Sequence, residues 1–345
     1  MPPVFVDFDT GVDDALALIY LLASPDADVV GIASTSGNVA VQQVCENNLG
    51  LLGLCAITGI PVSKGSDETL TGPLRAPSRV HGTRGLGYAD LPPTDARLTG
   101  YDSATAWVRS ARAFPGELIG VATGPLTNLA LALRAEPALP TLVRRLVIMG
   151  GSYDHRGNTT AVAEWNISVD PEAAAEVLAA WPQAAETAAA GDRERLPILC
   201  GLNLTRKVAV TPEILTRLAA AAGSTTTAMS VHDERGTRST ASNPLIRVIE
   251  DATRFYLEGY YDKGHGYQAH LHDPLAAAVA LDPGLITARP ATVEVELAEN
   301  LNRGMTVTDW SGHREPNALI GIEVDPAVFF DRFIERVGPF ARELG

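Results

Sequence analysis

The sequence predicts an α/β protein with an open, mostly parallel central sheet and helices on both faces. Short β-prone apolar segments alternate with longer helical segments through the first two-thirds of the 345-residue chain. Such alternation is typical of parallel sheets. The last third has short strands at 291–297, 305–310 and 320–325, some expected to be antiparallel, before a closing helix at 326–344. The chain has no repeat and no clear linker, so we predict a single domain over residues 1–345.

Apolar runs and the turn residues that bound them define the elements of the first two-thirds. We expect a first strand from Val4, a tight turn at Gly11 and a helix that begins at Asp13 and Asp14. Further strands are predicted at 29–34, 118–122, 146–149 and 198–204, and further helices at 39–54, from 128, at 171–179 and at 275–281. Pro171 suits the first turn of its helix because that position needs no backbone N–H donor.

The stretch 4–15 carries four aspartates. Asp7 and Asp9 lie two apart, so their side chains would share one face of a strand, and Asp13 and Asp14 follow where the helix begins. One such aspartate is usually a helix N-cap or a turn residue. Capping needs one carboxylate and not four, and ligands bind at the carboxyl ends of the strands in open α/β sheets. Four negative charges in one turn therefore indicate a bound cation or bound hydroxyl groups.

Composition and net charge exclude several classes of partner. The formal net charge of −14 argues against a nucleic-acid backbone or an anionic membrane, but not against a neutral small molecule. Cys45, Cys55 and Cys200 are odd in number and lack metal spacing, so we expect buried thiols. The longest apolar run, 15–23, is too short to span a bilayer, and a strand from Val4 leaves no room for a signal peptide. We therefore predict a cytoplasmic enzyme.

Polar side chains recur at the ends of the predicted strands. Asn38 follows the second strand and Thr123 follows the strand at 118–122. The other members of this set lie after Gly150-Gly151 or just before the helix at 275–281: Asn158, Glu164, Asn166, His272 and Asp273. Each alone could be a turn residue, an N-cap or a helix start. Their common position, facing the aspartates, instead predicts one site.

Two stretches are predicted to be surface loops. The stretch 77–93 is rich in glycine, proline and arginine and contains His81, which makes it a plausible lid over the site. The stretch 183–197 is polar and alanine-rich, and we expect a surface excursion without a chemical role.

Two known families place paired aspartates after a first strand. The haloacid-dehalogenase-like phosphatases use Asp-x-Asp-x-Thr/Val, but this chain has Gly11 at the fifth position. The segment 7–15, Asp-Phe-Asp-Thr-Gly-Val-Asp-Asp-Ala, resembles more closely the signature of the nucleoside hydrolases, the inosine–uridine-preferring N-ribohydrolases. Further matches follow in order: Thr-Gly-Pro-Leu-Thr-Asn at 123–128, Met-Gly-Gly at 149–151, Asn-x5-Glu-Trp-Asn at 158–166 and His-Asp-Pro at 272–274.

The resemblance implies a metal ion and a general base at the aspartate cluster. Calcium would be bound by Asp9, Asp14, Asp273 and the backbone carbonyl of Thr123, all of them hard oxygen ligands. Asp9 would also take a proton from the attacking water. Asp7 would orient its neighbours.

The resemblance also implies which residues contact the two halves of a ribonucleoside. The ribose hydroxyls would be held by Asp13, Asn38, Asn158, Glu164 and Asn166. The base would be surrounded by His81, Met149, Trp165, Tyr256 and Tyr260, although the two tyrosines could equally be ordinary core residues. His272 would protonate or stabilise the departing base, because histidine titrates near neutral pH.

The implied reaction is calcium-dependent hydrolysis of the N-glycosidic bond of ribonucleosides, which releases ribose and a free purine or pyrimidine base. A carboxylate-rich pocket suits this reaction because positive charge develops on the ribose ring in the transition state. The resemblance further implies a homodimer or homotetramer. Thr10 and Asn203 depart from the family pattern, which commonly has proline and aspartate there. A dehalogenase-type phosphatase and a ribonucleoside-binding protein without turnover are the alternatives.

Overall fold

The computed structural model describes residues 1–74, 80–187 and 195–345, with the backbone alone over 182–187. The strands within this part of the chain are β1 (Pro3–Phe8), β2 (Asp28–Ser34), β3 (Val62–Lys64), β4 (Glu68–Thr69), β5 (Gly72–Pro73), β6 (Leu118–Ala122), β7 (Val143–Met149), β8 (Ile198–Cys200), β9 (Ala209–Val210), β10 (Ala269–His270), β11 (Ile286–Val295), β12 (Thr306–Asp309) and β13 (Ala318–Val324).

The central sheet confirms the predicted fold class. Its strand order is β12-β11-β13-β8-β7-β6-β1-β2-β3. The strands from β13 to β3 pair in parallel, whereas β11 pairs antiparallel with both β12 and β13. The change from parallel to antiparallel pairing therefore falls in the last third of the chain, as its short strands predict.

Helices cover both faces of the sheet. Within the described residues they are α1 (Val12–Leu22), α2 (Val41–Leu54), α3 (Ser103–Ala113), α4 (Thr127–Ala135), α5 (Leu139–Leu142), α6 (Trp165–Val169), α7 (Pro171–Thr187), α8 (Leu202–Thr205), α9 (Pro212–Ala221), α10 (Pro244–Asp262), α11 (His272–Leu281) and α12 (Pro326–Glu343). A short 3₁₀ helix spans Pro283–Leu285.

Two apolar cores lie on opposite faces of the sheet. One contains buried residues of α1, α2, α9, α10, α11 and α12, and the other contains residues of α3, α4, α5 and α7. The helix α1 is buried on all sides between the sheet and its neighbours, so its only polar residues, Asp13 and Asp14, lie in its first turn. The start of α1 is thereby fixed against the sheet edge.

Two local predictions were wrong. The predicted strand 198–204 stops at Cys200, because Gly201 ends it and 202–205 form α8, whose N–H groups bond back to Gly201. The backbone over 183–187 continues α7, so the excursion does not begin at 183. At the connection between β1 and α1, Gly11 has a φ of −92°, which any residue can adopt. A Cβ at Gly11 would lie 2.5 Å from His81 Nδ1, so the position requires glycine for space.

Several predictions concern features that the structure leaves open. Residues 77–79 of the predicted lid and 188–194 of the predicted excursion lie outside the described residues. The single domain over 1–345 and the lid remain predictions. In the part of the chain that the structure describes, each helix is too short or too polar to cross a bilayer.

Candidate active site

The candidate site lies at the point where the strand order reverses. After β1 the chain continues to β2 on one side, while β6 lies on the other side of β1. Open α/β sheets bind ligands in the crevice at such a switch point, beyond the carboxyl ends of the strands. Asp9 follows β1 and Thr123 follows β6, so the topology places both at this crevice.

Hydrogen bonds hold the side chains of Asp9 and Asp14 in place at the bottom of the crevice. Asp9 Oδ2 accepts from the backbone N–H of Asn38 at 2.8 Å. Asp14 Oδ1 accepts from the Thr123 hydroxyl at 2.6 Å, and its Oδ2 accepts from the N–H of Gly11 at 2.8 Å and from Asn38 Nδ2 at 3.4 Å. Asp14 thus caps the start of α1, which is the usual role of a single aspartate at this position. It also links the segments that follow β1, β2 and β6.

Asp13, Asp14 and Asp273 form a compact buried cluster of carboxylates. Each offers one oxygen within 4.8 Å of the others, because α1 packs against α11 and their first turns meet. Burial raises the pKa of Asp9, Asp13, Asp14 and Asp273, and the charges of neighbouring carboxylates raise those of Asp9, Asp13 and Asp273 further. The raised pKa values measure how unfavourable these charges are without a compensating cation.

Asp7 lies outside the cluster. Its Oδ2 accepts from Trp107 Nε1 at 2.8 Å and its Oδ1 accepts from Asn128 Nδ2 at 2.9 Å. Burial raises the pKa of Asp7 to about 6, and these two hydrogen bonds oppose that rise. Both of its oxygens are therefore occupied on the side of the sheet that carries α3 and α4, in keeping with an orienting role.

The segment after β7 closes the side of the crevice nearest Thr123. Glu164 caps α6 through the N–H groups of Asn166 and Ile167, and it also accepts from Gly151 N at 3.0 Å. Burial raises the pKa of Glu164 to about 7, opposed by these backbone hydrogen bonds. Asn166 Nδ2 donates to the Thr123 carbonyl at 2.6 Å and to the Met149 carbonyl at 3.2 Å. Asn166 therefore ties α6 to the ends of β6 and β7.

Asn158 and Trp165 occupy the outer part of the same segment. Asn158 is exposed, and its Oδ1 accepts from Trp165 N at 2.9 Å. Trp165 is half-buried, and its Nε1 is a buried donor without a partner.

Aromatic and histidine side chains form the opposite wall. Tyr256 and Tyr260 share one face of α10, with ring centroids 5.2 Å apart, and His81 lies 5.2 Å from Tyr256. His272 Nδ1 is 2.7 Å from the Thr205 hydroxyl, and its Nε2 is 3.5 Å from the Tyr260 hydroxyl. His81 Nδ1 accepts from Val12 N at 3.1 Å.

Burial governs the pKa of the two histidines in this wall. Burial, and then the charges of His270, Arg206 and His81, hold the pKa of His272 well below its usual range. Burial similarly lowers the pKa of His81 to about 4. The structure therefore favours the neutral form of both rings, which opposes the titration of His272 near neutral pH.

A single cavity of about 770 Å³ joins these walls. The predicted site residues that line it are Asp13, Asn38, His81, Thr123, Met149, Asn158, Glu164, Trp165, Asn166, Tyr256, Tyr260, His272 and Asp273. Asp9 and Asp14 are fully buried and do not line the cavity, but both bond to lining residues. The fold thus brings the whole predicted set to one place.

The acidic cluster fits a hard divalent cation. Asp9 Oδ1 is buried and has no hydrogen-bond partner, which is costly for a carboxylate oxygen unless a ligand satisfies it. The nearby donors on Asp13, Asp14, Asp273 and the Thr123 carbonyl are all oxygen atoms. Such a set suits calcium better than a transition metal.

Sequence reasoning missed several residues of the cavity. Arg206 lines the cavity, and Thr205 contacts His272 beside it. Both residues follow Gly201, in a segment where the sequence indicated only the departure from the family pattern at Asn203. The spacing of His270 and His272 could have indicated a shared wall, since the rings lie 5.8 Å apart. Hydrogen bonds accommodate the two residues that depart from the family pattern. The Thr10 hydroxyl donates to Asn48 Oδ1, and Asn203 Nδ2 donates to the Gly321 carbonyl.

Fold and site together define an α/β protein whose ligand cavity has a floor of carboxylates suited to a cation and to hydroxyl groups. Comparison with known proteins identifies the family. The family model described as inosine-uridine preferring nucleoside hydrolase matches residues 4–331. The chain belongs to this family, which confirms the predicted resemblance and the predicted enzyme class, a nucleoside N-ribohydrolase.

Individual relatives match over nearly the full length. A pyrimidine-specific ribonucleoside hydrolase of Citrobacter koseri is 33% identical over 344 residues, covering 98% of this chain and 99% of the relative. The solved structure of a purine-preferring ribonucleoside hydrolase from Gardnerella vaginalis is 28% identical, with a TM-score of 0.84 and 99% of each chain covered. A plant nucleoside hydrolase is also 28% identical, with a TM-score of 0.83 over 98% of this chain and 99% of that one.

Proposed function

We propose that this protein is a calcium-dependent ribonucleoside hydrolase that releases ribose and a free purine or pyrimidine base. The observation that carries the proposal is the unpartnered buried oxygen of Asp9 beside the Asp13, Asp14 and Asp273 cluster, at one end of a cavity of about 770 Å³. That volume lies within the range of about 300–1,000 Å³ that is usual for small-molecule sites.

Calcium would be held by Asp9, Asp14, Asp273 and the carbonyl of Thr123, with the Asp13 carboxylate in the same cluster. When bound, calcium would supply positive charge that offsets the carboxylates and makes water easier to deprotonate. Asp9 would take the proton of the attacking water through Oδ1, while the Asn38 N–H holds its other oxygen.

The ribose and the base would occupy opposite ends of the cavity. Asp13, Asn38, Asn158, Glu164 and Asn166 would accept from or donate to the ribose hydroxyls, and the carboxylates would stabilise the positive charge that develops on the ring. His272, held at Nδ1 by Thr205, would contact the departing base near Tyr260. His81, Met149, Trp165 and Tyr256 would complete the base pocket.

Incubation with inosine, uridine and p-nitrophenyl phosphate tests the proposal. Ribose release that requires calcium supports it. Phosphate release would indicate the phosphatase alternative instead, and binding of a nucleoside without product would indicate a binding protein. Release of ribose at full rate after exhaustive chelation would contradict the metal dependence while leaving the hydrolase activity intact.

The base preference cannot be taken from the relatives, because the Citrobacter relative is named pyrimidine-specific and the Gardnerella relative purine-preferring. Rates with inosine and uridine measure this preference directly. We also infer a homodimer or homotetramer from family membership alone, and light scattering of the purified protein tests it.

A further inference from the structure

Unpartnered positive charges gather at the cavity. Most lysine and arginine side chains in the described part of the chain have an acidic, carbonyl or aromatic partner. Those with none are Arg97, Arg144, Arg156, Arg206 and Lys263, and the last three line the cavity. Four of the five are exposed, so water can solvate their charges, but Arg206 is half-buried. Arg206 is thus the least exposed of these five residues, and its guanidinium has no protein partner.

The backbone fixes Arg206 beside the base end of the cavity. Arg206 is the C-cap of α8 and directly follows Thr205, whose hydroxyl is 2.7 Å from His272 Nδ1. Two residues later, the Val208 carbonyl accepts from Leu271 N at 2.9 Å, and β9 pairs with β10 so that Ala209 faces His270. Burial lowers the pKa of His270 to about 4, and the charge of Arg206 lowers it further, in keeping with this placement.

A buried ring nitrogen without a partner lies in the same part of the cavity. The Nδ1 atom of His270 is buried and unpartnered, and the Tyr260 ring lies 5.2 Å from the His270 ring. The floor of the cavity, in contrast, presents the carboxylates of Asp13 and Asp273. The lining of the cavity therefore combines carboxylates with unpartnered cations, which suits a ligand that has both hydroxyl donors and acceptor atoms.

We propose that Arg206 is a catalytic residue whose guanidinium contacts the base and stabilises the negative charge that develops on it as the glycosidic bond breaks. This inference rests on the proposed hydrolase function. The C1′–N bond breaks with its electron pair leaving on the base. The oxygen of water bonds to C1′, and overall one proton of the water ends on the base nitrogen. Arg206 keeps its own protons throughout, because a guanidinium is not deprotonated in proteins.

Such a role complements the carboxylate floor. Positive charge on the ribose and negative charge on the base grow together in the transition state, and fixed charges placed at each end stabilise both. His272 is held at Nδ1 by the Thr205 hydroxyl and offers the base a hydrogen bond, whereas Arg206 supplies a permanent positive charge. The benefit of Arg206 must therefore be largest for bases that leave reluctantly.

The experiment compares Arg206→Gln with Arg144→Gln on inosine, uridine and p-nitrophenyl riboside. Arg144 is an exposed, unpartnered arginine at the start of β7, away from the cavity, so it is a matched control. Arg206→Gln should lower kcat/KM by about 10²-fold for the natural nucleosides, the usual cost of removing one preorganised donor. The loss with p-nitrophenyl riboside should be much smaller, and Arg206→Lys should recover part of the activity.

A double-mutant cycle with His272→Ala separates direct contact from an indirect role. Losses that add in the double variant mean that Arg206 acts on the base itself, as proposed. A double variant no worse than His272→Ala alone would show that Arg206 acts only through His272, and equal losses of Arg206→Gln on all three substrates would show that it only shapes the pocket. Either result overturns the inference. If Arg206→Gln does not fold, Arg206→Met, which keeps the aliphatic stem, takes its place.

Failure of the proposed function gives a different result. In that case the wild-type protein releases ribose from none of the three substrates. If the wild type is active and Arg206→Gln matches Arg144→Gln on every substrate, the hydrolase function stands and only the role of Arg206 is wrong.

Discussion

The two ends of the cavity are built in different ways. The acidic floor consists of side chains at strand ends and first helical turns, namely Asp9, Asp13, Asp14 and Asp273, and all are buried. The outer end consists of helix faces and connecting segments. Of its two cations, Arg206 is half-buried and Lys263 is exposed. Sheet topology therefore determines the floor, which we propose binds the sugar, while the proposed base end depends on helix faces and connecting segments. One relative is named pyrimidine-specific and another purine-preferring, so the proposed base end is where we expect members of this fold to differ.

The strongest test of the comparison removes one hydroxyl from the substrate. If the floor binds ribose, a 2′-deoxynucleoside leaves buried polar groups such as Asp13 and Asn166 unpaired. Sites built around a substrate hydroxyl reject the analogue that lacks it by roughly 10⁴ to 10⁵. The weaker glycosidic bond of deoxyribose opposes this effect, but we expect the lost contacts to dominate. The measurement is kcat/KM for inosine against 2′-deoxyinosine and for uridine against 2′-deoxyuridine, and comparable values in either pair would contradict ribose binding at the floor.

A smaller effect is expected from removal of the general base. Asp9→Ala should lower turnover by about 10² to 10⁴, with further loss from weaker metal binding. Asp7→Asn is the matched control, because Asp7 is a buried aspartate two residues before Asp9 whose oxygens are both occupied, by Trp107 and Asn128. That variant should lower the melting temperature with a much smaller loss of turnover. Turnover of Asp9→Ala close to that of the wild type would exclude this mechanism.

At the base end, loss of His272 should depend on the leaving group. His272→Ala should lower kcat/KM for inosine or uridine by about 10², the low end for a proton-transfer residue, since the ring is neutral. p-Nitrophenyl riboside should lose far less, because p-nitrophenolate departs readily. An equal loss on all three substrates would mean that His272 only shapes the pocket.

The smallest predicted effect concerns stability and pH. Burial and the charge of Asp14 raise the pKa of Asp13 from 3.8 to about 8, so without metal the folded state binds more protons than the unfolded state between these values. The free energy of unfolding of the metal-free protein should therefore fall as pH rises through this window.

Calcium binds the ionised carboxylates, so the stabilisation of the protein by calcium should be greater at pH 8 than at pH 5.5. Melting temperatures with calcium and with chelator, at both pH values, measure this, and a calcium effect independent of pH would contradict it.

Much of the floor could be predicted from sequence because its residues are tied to local signals. Asp9, Asn38 and Thr123 each follow an apolar strand, and parallel strands bring their carboxyl ends to one edge. The base end gave weaker signals. Thr205 and Arg206 directly follow the predicted strand 198–204, and no motif marked them, whereas α8 and the pairing of β9 with β10 place them beside His272.

The sequence by itself determined the α/β class, the position of the acidic site and the family, because strand periodicity, helix starts and the motif at 7–15 are local features. Tertiary structure alone decided the burial that lowers the pKa of His272, the space that requires glycine at position 11 and the unpartnered oxygen of Asp9. These depend on burial and on contacts between residues far apart in the chain. Desolvation and steric exclusion act through such contacts, and no local pattern records them.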